Sequence, residues 1–137
     1  MTIYALDADI ISYILKDDKK IIQRYIFELQ NGNEFIIPPI VMYEIRRGLL
    51  AEKMLKRLKV FEESFQDIVA DDFSAQVWYK AAEIYADLKL RGKALGGRWD
   101  GDVLIAAYCI VNGYTLITNN RDHFKRVNDL QFILWRD

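Results

Sequence analysis

One cysteine and one histidine in 137 residues remove several chemistries at the outset. Cys109 has no partner for an intrachain disulfide, and its place inside an apolar run reads as a buried core thiol. With no second histidine, His123 has no paired imidazole for acid–base catalysis, so packing or a surface contact is expected of it. No G-x-S-x-G elbow, Walker A loop or G-x-G-x-x-G turn occurs. Repeats, low-complexity tracts and Pro/Gly/Ser linkers are missing, and no apolar stretch approaches transmembrane length. The opening residues lack a charged-then-apolar signal pattern, and a cytoplasmic, reducing compartment is the expectation. Excess basic charge is also missing: 19 Lys plus Arg face 20 Asp plus Glu, a net charge of −1. That balance argues against a protein that coats nucleic acid by electrostatics alone. It leaves room for an acidic pocket ringed locally by Arg and Lys.

What is present is an ordinary globular mixture, 52% hydrophobic and 28% charged, and long enough for one domain, 1–137, with a real core. Aromatic content of 13% suits a well-packed interior or a sizeable partner surface. Strand-like and helix-like stretches alternate, the signature of an α/β fold with a parallel sheet. Ile3–Leu6 reads as the first strand, and Asp9 as the N-cap of a helix to about Leu15 or as a group that supports Asp7. A helix over Lys19–Leu29 ends at Asn31-Gly32-Asn33. Phe35–Ile37 reads as a buried strand. Pro38-Pro39 then sets the start of a helix over Ile40–Leu50, with Ala51–Phe65 continuing as another. Asp67–Ala70 is a candidate third strand. Asp72 or Ser74 would cap a long amphipathic helix to Leu90, its apolar stripe being Val77, Ala81, Ile84, Tyr85 and Leu88. After the Gly-rich stretch 91–99 comes Asp102–Val111, apolar all round and read as a helix sandwiched inside the fold. Tyr114–Ile117 and Gln131–Leu134 complete a sheet of about five strands.

Three acids stand in places that packing alone does not explain. Asp7 ends the first strand, and in open parallel sheets ligands bind outside the carboxyl ends of the strands. Glu44 shares a helix face with Val41, Ile45, Gly48 and Leu49, so a carboxylate points inward from an apolar stripe. An uncompensated buried carboxylate costs several kcal/mol; a metal ion, or an ion pair with Arg46, Arg47 or another arginine, should face it. Asp102 opens the apolar helix, where the dipole favours an acid in any case, while Asp100 is the expected N-cap. A convergent trio of carboxylates is tolerated when Mg²⁺ or Mn²⁺ neutralises it, and such an ion supports water attack on a phosphodiester.

The ordered set Leu6-Asp7-Ala8-Asp9-Ile10-Ile11-Ser12, Ile40 to Gly48 around Glu44, Asp102-Val103-Leu104-Ile105-Ala106-Ala107 and Leu116-Ile117-Thr118-Asn119-Asn120, with Phe124 and Leu134-Trp135 beyond, resembles the PIN-domain ribonucleases, specifically VapC-type toxins of toxin–antitoxin pairs. The resemblance implies a PIN-like three-layer sandwich, a central mostly parallel sheet flanked by helices. It implies an Mg²⁺- or Mn²⁺-dependent endoribonuclease acting on structured RNA and leaving 5′-phosphate and 3′-hydroxyl ends. Asp7, Glu44 and Asp102 are then the catalytic metal ligands, and Thr118 a hydroxyl near the site. Asn120 stands where many relatives carry a fourth acid, which weakens the case for a second metal; Asp100 and Asp122 are the acids placed to compensate. Homodimerisation and neutralisation by a cognate small antitoxin are further implications. The antitoxins of the family often place an Arg among the acids. Arg91, Lys93, Arg98, Arg121, Lys125 and Arg126 are candidates for phosphate contact.

Two other readings compete. A small phosphatase similar to the haloacid dehalogenases would use Asp7 as nucleophile and Asp9 as acid–base, but Ile10-Ile11 replaces the expected turn and Glu44 is left without a role. A catalytically silent PIN-like module that binds RNA or protein draws support from Asn120.

Overall fold

The computed structural model describes residues 1–94 and 100–136. Arg98, one of the expected phosphate contacts, lies outside the described residues.

Four parallel strands form one sheet: β1 (Ile3–Leu6), β2 (Glu34–Ile36), β3 (Thr115–Thr118) and β4 (Phe132–Leu134), in the order β2-β1-β3-β4. Ala5, Leu6, Leu116 and Ile117 are all fully buried, as the central pair of a parallel sheet should be. Strand order reverses between β1 and β3, so their carboxyl ends open the crevice where parallel α/β sheets bind ligands.

The connections are helical: α1 (Ala8–Leu15), α2 (Lys19–Gln30), α3 (Pro39–Ala51), α4 (Leu55–Phe65), α5 (Ala75–Leu90), α6 (Asp100–Asn112) and the single turn α7 (Arg121–Phe124). Pro39 occupies the first position of α3, where its missing N–H costs nothing and its fixed φ suits the helix. α6 buries Val103, Ile105, Ala106, Ala107, Tyr108 and Cys109, in keeping with a stripe that runs round the helix. It stops before Gly113, whose φ of +73° is a left-handed C-terminal conformation that glycine adopts freely. On α5 the residues Val77, Ala81, Ile84 and Leu88 are buried; Tyr85 is partly exposed. Among the described residues no helix is long and apolar enough to cross a membrane.

The α/β class with a parallel sheet stands, but among the described residues there are four strands rather than about five. Asp67–Ala70 is not a strand: a 3₁₀ turn covers Gln66–Ile68, and Val69 makes a lone parallel bridge to Ile37. Ile37 donates to Ile68 O and accepts from Ala70 N; the ladder stops there because Pro38 and Pro39 have no N–H to extend it. The expected helix over Ala51–Phe65 is divided. Lys53 takes a left-handed φ of +56°, and α4 starts only at Leu55. Asp9 does not cap α1. That place belongs to Asp7, whose backbone is extended and whose carboxylate accepts from Ala8 N. Asp100 is likewise the first residue of α6 rather than its N-cap. Ser74 holds the N-cap position of α5, without a side-chain bond.

Candidate metal centre

Asp7 sits at the carboxyl end of β1, 6% exposed. Its Oδ1 accepts from Ala8 N at 2.8 Å and its Oδ2 from the hydroxyl of Thr118 at 2.6 Å. Thr118, the last residue of β3, is fully buried and also accepts from Asn120 N at 3.0 Å. The neighbouring strand end therefore orients Asp7, and Thr118 acts through that carboxylate instead of facing solvent. A nucleophilic Asp7 fits poorly here, because both of its oxygens are engaged in a buried position.

Asp9, in the first turn of α1, accepts from Asn119 N through Oδ2 at 2.9 Å. Its Oδ1 is buried and has no hydrogen-bond partner among the described residues. Glu44 reaches in from α3, and its Oε1 is buried without a partner as well. Among the described residues the ion pair that would have explained Glu44 is not made. Arg46 pairs with Glu62 at 2.5 Å, and the Arg47 guanidinium lies over the Tyr43 ring, 5.0 Å from its centre. The space for Glu44 comes from Gly101 in the first turn of α6: a Cβ at that position would stand 3.2 Å from Glu44 Oε2. Asp102 is one residue further along the same turn.

These carboxylates sense one another. Burial, then Asp9, pushes Asp7 up to about 8, with Asp102 adding to the rise. Burial and then Asp102 raise Glu44, against a lowering from Arg47. Burial raises Asp9 too, and Asp102 contributes. Desolvation and like charge both disfavour the ionised forms, and a divalent cation is the group that reverses both. Two buried carboxylate oxygens without partners, and a glycine that makes room for one of those carboxylates, fit such an ion. So does the donor set, all oxygen, which suits Mg²⁺ or Mn²⁺. Among the described residues no three acid, histidine or cysteine side chains already stand at ligand spacing, so binding would draw the carboxylates inward.

The remaining candidates divide. Asp100 is exposed in the first turn of α6. Asp122 is largely exposed and pairs with Lys125 at 3.5 Å. Asn120 caps α7, its Oδ1 accepting from His123 N. Arg91 bonds Asp87 and Arg126 O, and Arg126 bonds Ala94 O, so these two arginines tie the end of α5 to the segment after α7. Lys93 and Arg121 are exposed. Cys109 is fully buried, and burial pushes its thiol well up, which makes it a core group.

Two participants were not anticipated from sequence: the Gly101 opening, and His123, which contacts Asp102 through Nδ1 at 2.5 Å. Glycine between two acids at a helix start, where it lowers helix propensity, was the available signal for Gly101. Nothing local marked His123.

A family model described as PIN domain matches residues 4–130. Ribonuclease VapC2 of Rickettsia felis is 29% identical over 137 residues, covering 97% of this chain and 98% of that protein. Ribonuclease VapC1 of Haemophilus influenzae is 26% identical with the same coverage. In the crystal structure of VapBC2 from Rickettsia felis bound to a DNA fragment from their promoter, one chain superposes with a TM-score of 0.82 at 27% identity, covering 98% of this chain and 100% of that one. DNA-bound VapBC from Salmonella typhimurium gives the same TM-score at 23% identity, over 99% and 100% of the two chains, a likeness of fold. With the family model spanning nearly the whole chain, the chain belongs to the PIN domain family.

Proposed function

We propose that this protein is a divalent-cation-dependent endoribonuclease, the toxin of a toxin–antitoxin pair, acting in the cytoplasm on structured RNA. The observation that supports it most is the set of carboxylates at the β1/β3 switch point, two of them with buried oxygens that have no partner among the described residues. The relatives named Ribonuclease VapC, similar along nearly their whole length, supply the substrate class.

Asp7, Glu44 and Asp102 hold the ion, with Asp9 Oδ1 as the nearest further oxygen and Asp100 as an outer acid. When bound, Mg²⁺ or Mn²⁺ supplies an activated water and neutralises charge on the phosphoryl oxygens. Thr118 fixes the direction of Asp7 through its hydroxyl. The acidic cluster repels a phosphate until it is neutralised, so RNA engagement and ion binding are coupled. Lys93, Arg98 and Arg121 are the cations assigned to the RNA backbone. Asn120, an amide committed to capping α7, adds no charge, which favours a single ion. Exposed Tyr43, Trp78 and Tyr79 are apolar surface of the kind that partners cover; a second copy of the chain and a small cognate antitoxin are the partners proposed.

The test is expression with and without the adjacent antitoxin gene, followed by mapping of RNA ends. Cleavage at a dominant position, leaving 5′-phosphates, abolished by EDTA and by Asp102→Ala, is the expected result. Toxicity that persists in Asp102→Ala would overturn the proposal, and an aspartyl-phosphate trapped on Asp7 would favour the phosphatase.

A further inference from the structure

We infer that His123 is a positioning residue of this centre, its Nδ1–H holding the Asp102 carboxylate in the direction that ion binding requires. The inference rests on the reading of Asp102 as a ligand given above.

His123 lies on α7 and Asp102 on α6, 21 residues apart in sequence. Nδ1 stands 2.5 Å from Asp102 Oδ2 and 3.0 Å from Asn120 Nδ2. One ring nitrogen cannot serve both neighbours, because an ionised carboxylate only accepts and an amide nitrogen only donates. The shorter contact, to a charged acceptor, is the stronger, so the proton resides on Nδ1. A neutral ring protonated at Nδ1 and an imidazolium both satisfy this, and the positioning therefore does not depend on the charge of His123. Rotating the Asn120 amide by half a turn would give Nδ1–H a second acceptor at the cost of the bond from His123 N to Asn120 Oδ1, and the proton would stay on Nδ1 in either orientation.

The contact is one link of a longer path. Asn120 Oδ1 accepts from His123 N, Asn120 N donates to Thr118 Oγ1, and Thr118 donates to Asp7 Oδ2. Two of the three proposed ligands, Asp7 and Asp102, are thus joined through His123, the α7 N-cap Asn120 and Thr118. Asp102 needs such a brace, since its charge acts on Asp7, Asp9 and Glu44 alike, and like charge would turn a loosely held carboxylate outward. His123 is two-thirds buried and Asp102 more so, which strengthens the bond relative to one fully in water.

Because this chain has a single histidine, its imidazole can be observed without ambiguity. Long-range ¹H–¹⁵N correlation on the metal-free full chain should show a protonated Nδ1. Mn²⁺ titration by EPR should show at least about tenfold weaker binding in His123→Ala, the scale expected when a ligand's hydrogen-bonding partner is lost. His123→Asn, whose amide N–H stands close to the Nδ1 position, should return to within about threefold of wild type. Should the alanine variant not fold, His123→Gln, whose amide reaches past that position, takes its place. A bare Nδ1 would overturn the inference. So would wild-type Mn²⁺ affinity in the loss variant, or no recovery in His123→Asn. A wild type that binds no Mn²⁺ sinks the metal reading and this inference with it, whereas retained affinity in His123→Ala sinks this inference alone.

Discussion

Replacing Asp7 by Asn should stabilise the metal-free protein and remove much of its response to pH. The folded carboxyl keeps its proton up to about 8, against 3.8 for the same group in the unfolded chain. Between those limits the unfolded chain binds fewer protons than the folded one, so stability falls as pH rises, by about 1.4 kcal/mol per pH unit for one group. Below about pH 4 the effect is absent, and above about pH 8 the loss is complete. At pH 7 the accumulated cost is on the order of 4 kcal/mol. An amide of the same size has no charge to desolvate and can still accept from Ala8 N. It disturbs the Thr118 bond at roughly 1 kcal/mol, leaving a net gain near 3. For a chain of this length each kcal/mol moves Tm by about 4 °C, so Asp7→Asn should melt roughly 10 °C above wild type at pH 7 in EDTA. The gap should close towards pH 5. Thermal melts of both proteins from pH 5 to 7.5 make the comparison, and their difference isolates position 7 from other titrating groups. Mn²⁺ should raise the wild-type Tm more at pH 7.5 than at pH 5.5 and leave the variant nearly unmoved. Parallel pH profiles for the two proteins, or a variant less stable than wild type at pH 7, would refute the reasoning.

Gly101→Ala gains about 1 kcal/mol of helix propensity yet sets a Cβ 3.2 Å from Glu44 Oε2. The expected outcome is an unchanged or higher Tm together with a higher Mn²⁺ requirement for RNA cleavage; an unaltered requirement would count against the site. Thr118→Val removes a buried donor to Asp7 and an acceptor for Asn120 N, and denaturant unfolding should register a loss of about 1–3 kcal/mol. Arg91→Ala breaks exposed contacts to Asp87 and Arg126 O, so stability should drop by less than about 1 kcal/mol with RNA cleavage preserved. Arg121→Ala should instead weaken RNA binding and reduce its salt dependence by about one ion, measured by titration at several salt concentrations.

Elements whose cause is local were legible in the sequence. A strand ending on Asp7, an inward Glu44 on an apolar helix face, an all-round apolar α6 opening with Asp102, and the Pro-started α3 each follow from spacing within a dozen residues. The failures come from longer range. Asp9 looks like a helix cap because Asp before an apolar run usually is one; its carboxylate instead bonds Asn119 N, 110 residues away. Asp67–Ala70 has strand composition, but the strand it would pair with ends in two prolines. That Arg91 and Arg126 also tie the end of α5 to the segment after α7 is a relation across the fold that spacing does not encode. The place of His123 beside Asp102 depends on how α7 folds back on α6, a tertiary relation that local periodicity does not encode.

Asp7, Glu44 and Asp102 are proposed to grip one shared cation, and Glu44 is the most direct test because it is furthest from the strand-end geometry common to parallel sheets. Mn²⁺ binding to wild type and to Glu44→Gln, followed by EPR, should give one site in the wild type and at least about a tenfold loss in the variant. Equal affinity in the two proteins would contradict the account.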